Sequence, residues 1–253
     1  MGMEQLEEYC PGTDLLDGRV ILITGAGDGI GAALARACAA HGATTVLLGR
    51  TKAKLEAVYD EIVDTGGPRP GIFVMDLERA GPDQYQQLAD AVQETYGKLD
   101  GLVHNAGMLG DRSPIEHYDV ATWHRVMHVN LTAPFVLTRS LFRLLRRAGD
   151  ASVVFTSSGV GRTGKPFWGA YAVSKFGTEG LMQVLASEVE GGDQIRANAV
   201  NPGPTGTAMR RQAYPGEAPE SLRTPDQVVL PYLFLLGPDS RDVNGQSIDA
   251  QAS

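Results

Sequence analysis

The sequence predicts an α/β fold: a single-domain, doubly wound parallel sheet of about seven strands with helices on both faces. Three observations predict it. Short Val-, Ile- and Leu-rich runs alternate with longer amphipathic stretches along the whole chain. The short runs are apolar throughout, as suits parallel strands covered on both sides. No linker, low-complexity segment or internal repeat divides the 253 residues, so residues 1–253 read as one domain.

Strands are expected at Val20–Ile23, Thr45–Leu48, Gly71–Met75, Gly101–His104, Ser152–Phe155, Ile195–Val200 and Gln246–Ile248. Helices are expected near 30–41, 52–64, 82–96, 119–147, 170–190 and 225–236. Gly42 suits the end of the first helix. Thr224-Pro225-Asp226-Gln227 suits the start of the last, with Thr as cap, Pro at the first helical position and Gln three residues after the cap. Residues 203–223 hold three Pro and three Gly; they read as a long mobile loop, either a substrate lid or an inert surface excursion.

Composition excludes several classes of function. The chain is 43% hydrophobic and 21% charged, which is a globular balance. No apolar run reaches the roughly 18 residues that span a membrane. The acidic start, Met1 to Glu8, lacks the apolar core of a signal peptide, and Ser253 follows soon after the last strand, so no C-terminal arm is expected. Cys10 and Cys38 are too few for a disulfide framework or a zinc site. A reducing cytoplasm is the expected setting, and no metal is expected. The net charge of −8 argues against nucleic acid or an anionic membrane as partner.

The first strand runs into Thr24-Gly25-Ala26-Gly27-Asp28-Gly29-Ile30-Gly31 and then a helix. Gly25 allows the sharp turn, Gly29 leaves room for a pyrophosphate, and Gly31 lets helix and strand pack closely. Phosphate oxygens would meet unpaired amides of residues 27–31 at the helix start. Strand, turn and helix in this order mark a Rossmann-type dinucleotide site. After the second strand comes Gly49-Arg50-Thr51 rather than an acidic residue. A guanidinium grips phosphate in a two-pronged fashion, so Arg50 favours NADP (NADPH) over NAD, unless it is simply a solvated surface side chain.

Tyr171 and Lys175 are spaced i, i+4 and so share one helix face. Ser158 lies thirteen residues before Tyr171, just after a predicted strand, at the sheet edge where ligands of such folds bind. Carbonyl reduction needs hydride at carbon and a proton at oxygen. A free Tyr, with a pKa near 10, is only about 0.1% ionised at pH 7. Making it a base for the reverse reaction takes about 4 kcal/mol of anion stabilisation, which a neighbouring ammonium can help supply.

The turn TGAGDGIG, the stretch LVHNAGMLGD, FTSSGVGR and WGAYAVSKF together resemble the short-chain dehydrogenase/reductase family over nearly the whole chain, and within it most resemble the bacterial YciK-type oxidoreductases. The resemblance implies an oxidoreductase interconverting a carbonyl and an alcohol, with catalytic Asn130, Ser158, Tyr171 and Lys175. It implies a cofactor site made of the glycine turn with Arg50, Asp76 and Leu77 beside the adenine, and Asn105, Ala106 and Gly107 after the fourth strand. Tyr171 and Lys175 would meet the nicotinamide ribose, and Pro202, Gly203, Thr205 and Thr207 the carboxamide. It also implies a homodimer or homotetramer built through the long helices, acting on a small molecule. The family often has a second Asn where this chain has His104, which reads as the structural end of a strand.

Pro134, four residues after Asn130, has no N–H for the Asn130 carbonyl. That carbonyl is therefore expected to be free, either at a simple kink or holding a proton-relay water, the role that the resemblance implies for Asn130. Met108, Leu109, Phe167, Trp168, Met209 and Tyr214 would line an apolar substrate pocket, or serve packing or subunit contact. Arg143, Arg146 and Arg147 read as a solvated helix end. Two other functions compete: a silent NADP(H)-sensing protein, disfavoured by an intact Ser158, Tyr171 and Lys175, and an epimerase, disfavoured by the lack of room for an extra substrate domain.

Overall fold

The computed structural model describes residues 8–192 and 194–251. The expectations for the first residues and for Ser253 fall outside these residues, apart from Glu8. Seven strands form one sheet: β1 (Val20–Thr24), β2 (Thr44–Gly49), β3 (Gly71–Val74), β4 (Gly101–His104), β5 (Ala151–Thr156), β6 (Ile195–Asn201) and β7 (Ser247–Asp249). Every pairing is parallel, and the order is β3-β2-β1-β4-β5-β6-β7. Ile21 sits between Thr45 of β2 and Gly101 of β4. There the order reverses, and the loops leaving β1 and β4 part to open a crevice at the carboxyl edge.

Each face of the sheet is buried. In β1, Val20 and Leu22 join an apolar layer with Leu102, Leu137, Leu141 and Phe155. Ile21 and Ile23 point the other way, into a layer with Leu34, Leu47, Tyr232 and Leu235. Alternate residues thus feed two cores, which is why the strand sequences show no polar alternation.

The helices are α1 (Gly29–Ala40), α2 (Lys52–Asp64), α3 (Pro82–Tyr96), α4 (Val120–Met127), α5 (Ala133–Ala148), α6 (Gly169–Val189), α7 (Ala208–Ala213) and α8 (Leu230–Leu236). Three expectations need correction. The helix expected over 119–147 is split by a π turn, His128–Thr132, because Pro134 cannot donate to the carbonyl four residues back. The helix expected from 225 begins as a 3₁₀ turn, Pro225–Val228, and becomes α-helical only at Leu230. Residues 203–223, expected as a mobile loop, contain α7 and a 3₁₀ turn, Pro219–Ser221. Among the described residues no helix is long and apolar enough to cross a membrane.

Candidate active site

The glycine turn is stitched to the loop after β4. The Thr24 hydroxyl accepts the Asn105 and Ala106 amides, both at 3.0 Å, and donates to the Val103 carbonyl at 3.2 Å. The Asn105 side-chain amide donates back to the Thr24 carbonyl at 3.0 Å. Gly25 takes φ +67°, a left-handed conformation that costs other residues energy. At Gly31 a Cβ would fall 2.2 Å from the Gly25 carbonyl oxygen, so no side chain fits there.

Asp28 caps α1 through the Gly29 amide at 2.8 Å and pairs with Lys54. Its hydrogen bond with Lys54 holds its carboxyl below the ordinary range. This acidic group at the start of α1 is therefore neutralised by a lysine that sequence reasoning passed over. A cavity of about 590 Å³ extends from here past Arg50, Thr51, Lys54, Asp76 and Leu77. Asp76 accepts the Glu78 amide at 3.1 Å. Arg50 is exposed and has no hydrogen bond or ion pair among the described residues.

A second cavity, of about 430 Å³, shares Gly25, Asp28, Ala106 and Gly107 with the first and continues past Gly29 and Ile30 to Ser158, Tyr171 and Lys175. Ser158 follows the end of β5 in extended backbone, φ −162°. Tyr171 and Lys175 lie one turn apart on α6, both buried. The Lys175 Nζ donates to the Thr156 carbonyl at 2.6 Å and lies 5.6 Å from the centre of the Tyr171 ring. Burial pushes the Tyr171 phenol up to about 12, and the Ser158 hydroxyl beside it acts the other way. Burial pulls the Lys175 ammonium down to about 8, opposed by the charge of Glu179. At neutral pH the phenol keeps its proton and most of the lysine keeps its charge.

Asn130 lies in the π turn and is buried, and it does not line this cavity. Its side chain clamps the loop after β4, accepting the Met108 amide at 2.7 Å and donating to the Met108 carbonyl at 2.9 Å. It also donates to the Ser174 hydroxyl at 2.9 Å. The Asn130 carbonyl, expected to be free, faces the Thr178 hydroxyl at 3.3 Å. That hydroxyl is shared with the Ser174 carbonyl at 2.9 Å.

The loop after β6 forms the remaining wall. Pro202, Gly203, Thr205 and Thr207 all line the second cavity. The Thr205 hydroxyl is turned back onto the Gly203 carbonyl at 3.2 Å, and Thr207 caps α7 through the Arg210 amide at 3.1 Å. Gln251, which sequence reasoning missed, donates to the Pro202 carbonyl at 2.7 Å and the Pro204 carbonyl at 2.9 Å. α7 is latched to the opposite loop by Arg112, whose guanidinium lies 4.5 Å from the Trp168 ring and 5.0 Å from the Tyr214 ring. Arg112 also donates to the Ala213 carbonyl at 2.7 Å.

Of the expected pocket residues, Leu109, Trp168, Met209 and Tyr214 line the cavity with Tyr171. Met108 lies in the first cavity, and Phe167 is exposed on an outer groove at φ +70°. In the basic cluster, Arg147 donates to Gln93 at 2.6 Å and Arg146 lies over Phe142 at 4.7 Å. Among the described residues no group of three His, Cys, Asp or Glu is placed to hold a metal.

A model of the short chain dehydrogenase family matches residues 19–218. The uncharacterized oxidoreductase YciK of Escherichia coli (strain K12) is 48% identical over 243 residues, 96% of this chain and 96% of that protein. A solved Pseudomonas syringae protein described as a short chain dehydrogenase superposes with a TM-score of 0.95 at 54% identity, over 96% of this chain and 99% of that one. A homologue from Escherichia coli CFT073, solved in complex with NADPH, superposes with a TM-score of 0.93 at 48% identity, over 96% of this chain and 100% of that one. The chain belongs to the short chain dehydrogenase family of oxidoreductases, and its sheet is the Rossmann-type sheet of that family.

Proposed function

We propose that the protein is an NADP(H)-dependent oxidoreductase that interconverts a carbonyl and an alcohol. The observation that carries this reading is the convergence of Ser158, Tyr171 and Lys175 on a cavity continuous with the glycine turn and the unpartnered Arg50. The residues present suit NADP. The Gly25–Gly31 turn, with Gly27, Asp28, Gly29 and Ile30, offers backbone amides and bare backbone for a pyrophosphate, and Arg50 offers a free guanidinium for a 2′-phosphate. Asp76 and Leu77 would hold the adenine end, Asn105, Ala106 and Gly107 the middle, and Pro202, Gly203, Thr205 and Thr207 the nicotinamide end. The homologue solved with NADPH supports the same choice.

The bound nicotinamide supplies or accepts the hydride. The protein's own residues handle the proton. In reduction, the Ser158 hydroxyl donates to the carbonyl oxygen and orients it. Tyr171, protonated at neutral pH, gives its proton to that oxygen as charge develops there, and the resulting phenolate regains a proton from solvent. The Lys175 ammonium lowers the cost of the phenolate and would hold the ribose hydroxyls of a bound nicotinamide. In oxidation the same proton moves the other way. Asn130 acts by holding Met108 and Ser174 in place.

The protein acts on a small molecule in the cytoplasm and pairs with copies of itself. Val173, Phe176 and Val184 of α6 and Phe135 of α5 are large apolar side chains left exposed, and exposed apolar surface supports protein contact. The test of the activity is Tyr171→Phe against the parent on a panel of ketones with NADPH. Loss of the acid–base group is expected to lower kcat/KM about 10²- to 10⁴-fold while NADPH binding stays near that of the parent. Retained turnover would remove the mechanism. Tight NADPH binding by the parent with no turnover on any carbonyl would make the protein a silent sensor.

A further inference from the structure

One turn beyond Lys175 on α6 lies Glu179, also spaced i, i+4 and only 7% exposed. A carboxylate is seldom buried without partners, and this one has several. Its Oε1 accepts the hydroxyl of Ser157, the residue before Ser158, and that of Ser247 on β7 at 2.8 Å. The Arg162 Nε lies 3.5 Å away. Arg162 spends the rest of its fork elsewhere, on both Asp249 oxygens at 2.8 and 2.9 Å and on the Ser247 hydroxyl at 2.6 Å. Asn201, at the end of β6, donates to the same Asp249 at 2.8 Å. Arg162 thus divides its charge between Asp249, by the shorter contacts, and Glu179, by the longer one.

Lys175, one turn earlier on the same helix and also buried, makes no direct ion pair with Glu179 among the described residues. Its one hydrogen bond among the described residues goes to a neutral carbonyl, that of Thr156. A buried ammonium so placed needs a counter-charge. The groups facing it are few. On its own helix are Tyr171, neutral below about 12, and Glu179. From the end of β5 come the hydroxyls of Ser157 and Ser158. From α8 comes the Tyr232 phenol, bonded to Thr156 at 3.0 Å and held neutral by burial. Arg162 and Ser247 meet Glu179, and Asp249 meets Arg162. Glu179 is the one carboxylate in this set on the helix of Lys175, and its guanidinium contact, 3.5 Å to the Arg162 Nε, is the longer of the two that Arg162 makes to acids.

We infer that Glu179 is a positioning residue for the proposed reaction: it serves as the buried counter-ion that keeps Lys175 charged, and through Ser157 it ties α6 to the strand end that carries Ser158. The inference rests on the reading of Tyr171, Lys175 and Ser158 given above. It fits the direction in which Glu179 moves Lys175, upward against burial. The device has a purpose in the proposed chemistry: a neutral lysine cannot stabilise the phenolate, so keeping Lys175 charged extends the working range towards alkaline pH.

The test is the pH profile of kcat/KM for ketone reduction with NADPH in the parent, Glu179→Gln, Glu179→Asp and Tyr171→Phe. In the parent the rate should fall as pH rises and Lys175 loses its proton. In Glu179→Gln this fall is expected about one pH unit lower, the usual size of a neighbouring charge's effect, while the rate on the acid side changes much less. Glu179→Asp keeps the charge but draws it back by a methylene, so it should fall in between. Should Glu179→Gln fail to fold, the smaller shift in Glu179→Asp carries the test. An alkaline limb unmoved in either folded variant, or a rate lowered equally at every pH, would overturn the inference and leave Glu179 a packing residue. Turnover retained by Tyr171→Phe would instead overturn the underlying reading, so the two failures are distinguishable.

Discussion

Arg50 and His104 show how differently two single side chains report on function. Arg50 stands alone beside the first cavity, and its value depends wholly on a ligand. Arg50→Gln should weaken NADPH binding about ten- to a hundredfold, the worth of charge-assisted hydrogen bonds, and leave NADH binding near that of the parent. Fluorescence titration with both cofactors checks this, and equal losses for the two would deny Arg50 its phosphate. His104, by contrast, is spoken for by the core. It is 4% exposed, bonded through Nε2 to the Thr138 hydroxyl at 2.8 Å and stacked 4.8 Å from Phe155. Burial holds its pKa down to about 3. The unfolded chain, with a His near 6.5, takes up the proton first as pH falls. Its contribution is therefore complete above about 6.5 and drains away towards about 3, by a few kcal/mol at most. Urea midpoints measured from pH 7 to 4 should fall in the parent and fall less in His104→Asn. Parallel curves for the two proteins would contradict this account.

Elements translate local chemistry into position. The contact of α1 with the turn after β1 is set by Gly31, where even a methyl group would press into the Gly25 carbonyl. Gly31→Ala should cost about 1–3 kcal/mol through overpacking, lowering Tm by several degrees, and should abolish the rise in Tm on adding NADPH. Calorimetry with and without cofactor measures both, and an undiminished rise would show that the close approach is not needed for binding. The π turn before α5 was legible in part: Pro134 announced that the ladder must break, but the Thr178 hydroxyl facing the freed carbonyl comes from another helix. α7 was not legible. It has only six residues and lies between Pro- and Gly-rich flanks, too short a span for any helical period to show. Its hold on the fold comes from the Arg112 stack together with the Thr207 cap and the packing of Met209 and Ala213 against Leu109 and Trp168.

At the scale of the molecule, the sheet order brings the ends of β1, β4, β5 and β6 to one edge, so that residues from 25 to 214 line one continuous crevice. Phe135 of α5 and Val173, Phe176 and Val184 of α6 are each more than 40% exposed. Sedimentation of the parent should give a dimer or tetramer, and Phe176→Lys should shift it towards smaller species, since a buried charge without a partner opposes association. A parent that sediments as a monomer would refute the proposed self-association.

What the sequence determined by itself is whatever depends on near neighbours along the chain. The strand and helix order follows from apolar periodicity, the glycine turn from backbone freedom over seven residues, and the shared face of Tyr171 and Lys175 from the pitch of one helix. What only the tertiary structure decided are the partnerships between distant segments: Lys54 on Asp28, Gln251 on the Pro202 loop, Arg112 between Trp168 and Tyr214, and Ser247 on Glu179. Each joins side chains that periodicity cannot relate, because crossovers of variable length separate them. Only packing two helical layers on a twisted sheet sets which of them come within bonding distance.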